Sequence, residues 1–152
     1  MESSRKKGRY SRIFKQLQEL LDKTSDPDAR MATIIAILHH KMDYFFWTGF
    51  YFLSSGELTV RCYQGPLACQ VLAKHKGVCW AALDSGKTII VADVDQFPGH
   101  IACNSAARSE IVVPVRNTKG EITGVLDVDS TSTGSFDETD IAWLEKFAGL
   151  IF

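Results

Sequence analysis

The sequence predicts an α+β fold built on an antiparallel sheet. Three observations carry this. Two helical segments open the chain, apolar runs then follow in pairs across short turns, and one amphipathic segment closes it. Meandering strands framed by helices in that order indicate strands and helices kept apart rather than alternated.

The elements follow in order. Residues 9–23 set Ile13, Phe14, Leu17, Leu20 and Leu21 at helical spacing, the pattern of an amphipathic helix. The basic stretch before it, residues 1–10, is expected to be a flexible arm. Ser25-Asp26-Pro27-Asp28 ends this helix and starts the next, with Pro27 suited to a first helical position. Residues 28–42 are apolar on most faces and should form a buried helix. Runs at 43–53 and 57–65 flank Ser54-Ser55-Gly56 and read as a hairpin. Residues 66–86 are less regular, with a short helix from Cys79 to Leu83 ending at Gly86. A short apolar strand at 87–94 leads into a long loop, 95–109, carrying Pro98, Gly99, His100 and Cys103. Fifteen residues is a long loop for a compact domain, and such loops are often functional. Runs at 110–117 and 121–130 form a second hairpin across Thr118-Lys119-Gly120. A final helix over 136–152 starts at Ser135 or Asp137 and is expected to run to Phe152. With no repeats or low-complexity tracts, residues 1–152 read as one domain.

Composition narrows the function. The chain is 45% hydrophobic and 23% charged, enough for a packed core and too apolar for disorder. Seventeen Lys and Arg against eighteen Asp and Glu leave a net charge of −1. That balance argues against nucleic acid or an anionic membrane, which demand a strong positive field. No apolar run approaches the ~18 residues of a membrane span, and the charged start is no secretory signal. A soluble, cytoplasmic protein is expected.

The side chains with chemistry are cysteines and carboxylates. Cys62, Cys69, Cys79 and Cys103 include no C-x-x-C pair, which argues against a zinc site. Cys62 sits in the strand run LTVRCY and reads as structural. Cys103 lies in a loop among small polar residues, either as a buried thiol or as one exposed to a partner sulfur, as redox chemistry needs. In GVLDVDS, Asp127 and Asp129 share one strand face, either as a solvated acidic face or as part of a site. Glu110 enters the other arm of that hairpin, which could bring the three acids together. Neighbouring carboxylates repel, so at least one would keep a proton to donate, and such a group can also bind an ammonium. Trp47 shares a strand face with Tyr51 and Phe45, as sheet packing or as an apolar pocket wall with polar tips. His100 beside Gly99 is a candidate base or a solvated loop residue.

The stretch GVCWAALDSGKTIIVADVDQFPGHIACNSAARSEIVVPVRNTKGEITGVLDVDS resembles the GAF-domain free methionine-(R)-sulfoxide reductases. WTGFYFL, GPLAC and FDETD belong to the same resemblance. It implies a GAF-like fold: a central antiparallel sheet flanked by the N-terminal and C-terminal helices, with a loop-built pocket on the other face. Cys69, Cys79 and Cys103 occupy the family's three cysteine positions. Two positions depart from the pattern: Trp80 stands where glycine is usual, and Asn104 where aspartate is common.

The implied reaction is reduction of free L-methionine (R)-sulfoxide to methionine. Glu110, with Asp129 beside it, protonates the sulfoxide oxygen, Cys103 attacks sulfur, and Cys69 condenses with the resulting sulfenic acid. Cys79 is then a third thiol for disulfide exchange; the reverse assignment, Cys79 attacking and Cys103 resolving, stays open. Trp47 and Tyr51 wall the methyl end of the substrate. Asp93, Asp127 and Asp129 are candidates for its ammonium group, and Glu110 also touches it. The partners implied are free methionine sulfoxide and a thioredoxin-like dithiol, with room for a homodimer and no metal, flavin or nicotinamide cofactor. The rival reading is a non-catalytic GAF sensor of a small ligand or of redox state.

Overall fold

The computed structural model describes residues 1–100 and 103–152. Helices α1 (Ser3–Leu21) and α2 (Pro27–Lys41) lead into strands β1 (Trp47–Ser54), β2 (Glu57–Gln64) and β3 (Val71–Leu72). Helix α3 (Gly77–Ser85), strands β4 (Ile89–Val91), β5 (Ser109–Arg116) and β6 (Ile122–Ser130), and helix α4 (Glu138–Ala148) follow. The six strands form one sheet in the order β3-β2-β1-β6-β5-β4, and every neighbouring pair is antiparallel. The expected α+β architecture with an antiparallel sheet is present.

Strand alternation splits the interior into two layers. Phe50, Phe52, Ile111, Val113, Val115, Leu126 and Val128 face α1, α2 and α4 and build the larger core. Trp47, Tyr51, Val112 and Val125 face the other way, toward α3 and the loops. Phe45 departs from the expected company of Trp47. It precedes β1, so the strand period does not reach it, and it packs in the helical core.

Local signals place the helix ends. The Asp26 carboxylate accepts from the Asp28 amide at 3.0 Å, with Pro27 in the first turn of α2. Gly86 closes α3 at φ +69°, a left-handed angle that suits glycine. Asp137, not Ser135, caps α4, and its pairing with Asp140 forms a reciprocal capping box. That helix stops at Ala148 rather than reaching Phe152, with Gly149 at its end.

The N-terminal stretch is not an arm. From Ser3 onward it is the first half of α1, because Lys6 finds a partner at the far end of the chain. Its Nζ lies 2.6 Å from the Asp140 carboxylate and donates to the Ser135 carbonyl at 2.8 Å. Tyr10 donates to the same carboxylate at 2.6 Å, so a buried charge pair is hydrogen-bonded on both sides. Among the described residues no helix is long and apolar enough to cross a membrane.

Candidate active site

Register across β1, β6 and β5 assembles the site. One row of the sheet runs Trp47, Asp129, Glu110, and the next runs Gly49, Asp127, Val112. All project toward α3, whose Cys79 is buried against them. The Cys79 sulfur and one oxygen each of Glu110 and Asp127 lie within 4.8 Å of one another. Around them opens a cavity lined also by Tyr51, His100, Cys103 and Asn104.

Glycine shapes the aromatic wall. A Cβ at Gly49 would collide with the Trp47 ring and with Tyr63, so only glycine lets the indole lie flat across the strand. The indole stacks on Tyr51 and Tyr63, with ring centroids 5.7 and 5.2 Å away. Both polar tips are already engaged. Trp47 Nε1 donates to the Pro66 carbonyl, and the Tyr51 hydroxyl donates to the Cys69 carbonyl, each at 3.1 Å. These residues therefore offer apolar faces to the cavity while pinning the segment that carries Cys69.

Cys69 and Cys103 form a disulfide, with Cα atoms 5.5 Å apart and a separation of 34 positions in sequence. Cys79 is a free, buried thiol. Cys62 lies on the opposite face of the sheet, packed against the helical core, with its thiol pushed up to about 11 by burial and by Asp28. Asp93 does not join the site. It is not among the cavity-lining residues, and its carboxylate accepts from the Asp95 amide at 3.0 Å and caps the turn Val94–Gln96. His100 is half-buried on the cavity wall rather than solvated, and burial lowers its pKa.

The carboxyl cluster is held largely protonated. Burial, reinforced by Asp127 and Asp129, pushes Glu110 well above the usual carboxylate range, and it shares a hydrogen bond with Asp129. Burial raises Asp127 as well; the Cys79 thiol donates to it, and its Oδ1 has no protein partner among the described residues. Asp129 rises to about 7, again mainly through burial. Burial followed by Asp127 and Glu110 pushes the Cys79 thiol up, so it is poor in thiolate. Glu110 is thus a neutral acid at neutral pH, and Asp129 is its ionisable partner. Cys79, Glu110 and Asp127 are also the one group close enough to ligate a metal ion among the described residues.

This charge arrangement costs stability. A carboxyl whose folded-state pKa lies above its unfolded value stabilises the fold at low pH, and that contribution is lost as pH rises through the folded pKa. For Asp129 the window runs from about 4, the unfolded value, to about 7. Asp129→Asn should therefore melt like the parent at pH 4 and above it at pH 8, by roughly 2–4 °C for each kcal/mol recovered. Thermal melts across that range check this; equal melting points at pH 8 would mean the Asp129 charge is not strained.

Residues 17–151 match the GAF domain family model. The GAF domain-containing protein A of Dictyostelium discoideum is 42% identical, over 96% of this chain and 92% of its own length. The free methionine-R-sulfoxide reductase of Escherichia coli is 38% identical, over 78% of this chain and 75% of its own. The X-ray structure of free methionine-R-sulfoxide reductase from Neisseria meningitidis, in complex with its substrate, superposes with a TM-score of 0.90 at 39% identity, covering 96% of this chain and 87% of that one. The chain belongs to the GAF-domain family of free methionine-R-sulfoxide reductases.

The two departures from the family pattern are accommodated. Trp80 lies inside α3 at ordinary helical geometry, is buried, and donates its indole N–H to the Leu72 carbonyl at 3.2 Å. The positive φ in this segment belongs to Gly77, at +80°. Asn104 lines the cavity and accepts from the Ala106 amide at 2.8 Å, a turn-forming bond that an aspartate would make equally. Sequence inspection missed Gly49 as a site residue, although a glycine in mid-strand is a signal of close packing.

Proposed function

We propose that this protein reduces free L-methionine (R)-sulfoxide to L-methionine by thiol chemistry. The observation that carries the proposal is a disulfide, Cys69–Cys103, at the edge of a cavity whose wall holds the neutral acid Glu110. A sulfoxide sulfur is a weak electrophile until its oxygen is protonated or strongly hydrogen-bonded, and a carboxylic acid beside a thiol supplies that. A non-catalytic sensor has no use for this pairing.

In the proposed cycle, the Cys103 thiolate attacks sulfur while Glu110 gives its proton to the oxygen. The S–O bond and the new bond between the two sulfurs then break as the hydroxyl passes to Cys103, so methionine departs and Cys103 is left as a sulfenic acid. The Cys69 thiol condenses with it, releasing water and forming the disulfide seen here. An external dithiol of the thioredoxin type then supplies two electrons and two protons. Cys103 as attacking thiol is favoured over Cys79, which is buried and held protonated. Asp129, which ionises at about 7, would meet the substrate ammonium, with Asp127 beside it. The Trp47 and Tyr51 faces receive the thioether end. A dithiol-dependent cycle suits the reducing cytoplasm.

The test is NADPH oxidation with a thioredoxin system and three substrates: the free R sulfoxide, the free S sulfoxide, and a peptide-bound sulfoxide. Turnover is expected on the free R form, with little on the other two. Equal rates on all three, or no rate with an active reducing system, would sink the reductase reading.

A further inference from the structure

The two sulfurs of the disulfide are not equivalent. Cys103 lines the cavity, and Cys69, among the described residues, does not. Cys69 is flanked by Leu67, which also lines the cavity, and Val71, two residues away on either side and 84% and 48% exposed. These are the two most exposed large apolar side chains among the described residues. Val71 lies on β3, an edge strand of the sheet, so its side of the molecule is open. Exposed Lys74 and Lys76 follow on the same segment, with Lys76 at the cavity rim.

We propose that the reducing dithiol protein docks on this Leu67–Val71 flank and attacks Cys69, not Cys103. The inference rests on the reductase reading above. Thiol–disulfide exchange needs the incoming thiolate, the attacked sulfur and the leaving sulfur in line. Attack on Cys69 sends the S–S electrons to Cys103, whereas attack on Cys103 requires the partner's thiolate to reach a sulfur on the cavity wall. The apolar flank gives a protein partner surface to bury, and the neighbouring lysines complement an anionic nucleophile.

The electron count closes. The partner's first thiolate forms a mixed disulfide with Cys69, and the pair of electrons in the S–S bond leaves on Cys103. The partner's second thiolate attacks its own sulfur in the mixed disulfide, which oxidises the partner and frees Cys69. Cys103 is thus the first thiolate regenerated, already inside the cavity and ready for the next sulfoxide.

A thioredoxin-type protein whose second active-site cysteine is serine should stall at the mixed disulfide, and peptide mass spectrometry then reads which cysteine holds it. Cys69 is expected; a mixed disulfide on Cys103 overturns the proposal. Val71→Asp supplies an independent reading. Its kcat/KM for the protein reductant should fall roughly tenfold, the worth of one ordinary interface contact, while turnover driven by dithiothreitol is retained. An unchanged kcat/KM with the protein reductant would remove this flank as the docking side. Absence of dithiothreitol-driven turnover in the unsubstituted protein would instead count against the reductase reading, a separate failure.

Discussion

Cys103→Ser is expected to form no methionine in a single turnover, even with saturating sulfoxide and the protein fully reduced beforehand. A serine hydroxyl is far less nucleophilic and far less ionised than a thiol, so the first bond to sulfur is not made. Cys79 does not replace it. That thiol is buried, donates to Asp127, and is held protonated by its surroundings. Cys69→Ser should behave differently. It should release about one methionine per enzyme without reductant and then stall, because the attack step is intact and only the condensation is lost. The oxygen would remain on Cys103 as a sulfenic acid, detectable by a sulfenic-acid-specific label and mass spectrometry, unless Cys79 condenses with it. Cys62→Ser should match the parent, since Cys62 packs on the opposite face of the sheet. Rapid methionine release by Cys103→Ser with none by Cys79→Ser would reverse the two thiols and leave the reaction class standing.

What could be read from the chain depended on how local the cause was. Pro27 and Gly86 announce a helix start and a helix stop through their own backbone preferences, and both sit where expected. Asp127 and Asp129 share a face because alternation along a strand is a property of that strand alone. Their meeting with Glu110 depends on hairpin register, which an irregularity at Val115–Arg116 shifts, and turn residues do not reveal it. The first ten residues read as an arm because Lys6 has no visible partner nearby; the partner is Asp140, 134 positions away. Asp93 followed by Asp95 carried a local signal that was available and passed over. An aspartate accepting from the amide two residues on is an ordinary turn device, and it gives that carboxylate a structural use at the turn. The Cys69–Cys103 bond has no local signature at all. It entered only as something the family resemblance implied, and the packing of α3 and the two loops is what brings those sulfurs together.

Glu110→Gln should lose methionine formation by roughly 10²–10⁴-fold while the protein stays folded, the usual loss when a positioned general acid is removed. The structural half of this expectation follows from the side chain's present state. Glu110 is buried, neutral and hydrogen-bonded to Asp129, so a neutral amide of the same shape keeps the donor that Asp129 needs. Because the substitution leaves the charge of the cluster unchanged, the melting point should not fall. The chemical half turns on the difference between donating a hydrogen bond and giving up a proton. The glutamine amide can point N–H at the sulfoxide oxygen, but its proton is far too weakly acidic to transfer as the S–O bond breaks. Substrate affinity should therefore change little while the single-turnover rate collapses, a loss seen in kcat rather than KM. Rapid-quench measurement of methionine formation, with binding followed separately by Trp47 fluorescence, distinguishes the two. A loss below about fivefold, well short of what a general acid contributes, would move the proton to Asp129 or Asp127, the two other carboxyls of the cavity whose pKa is raised.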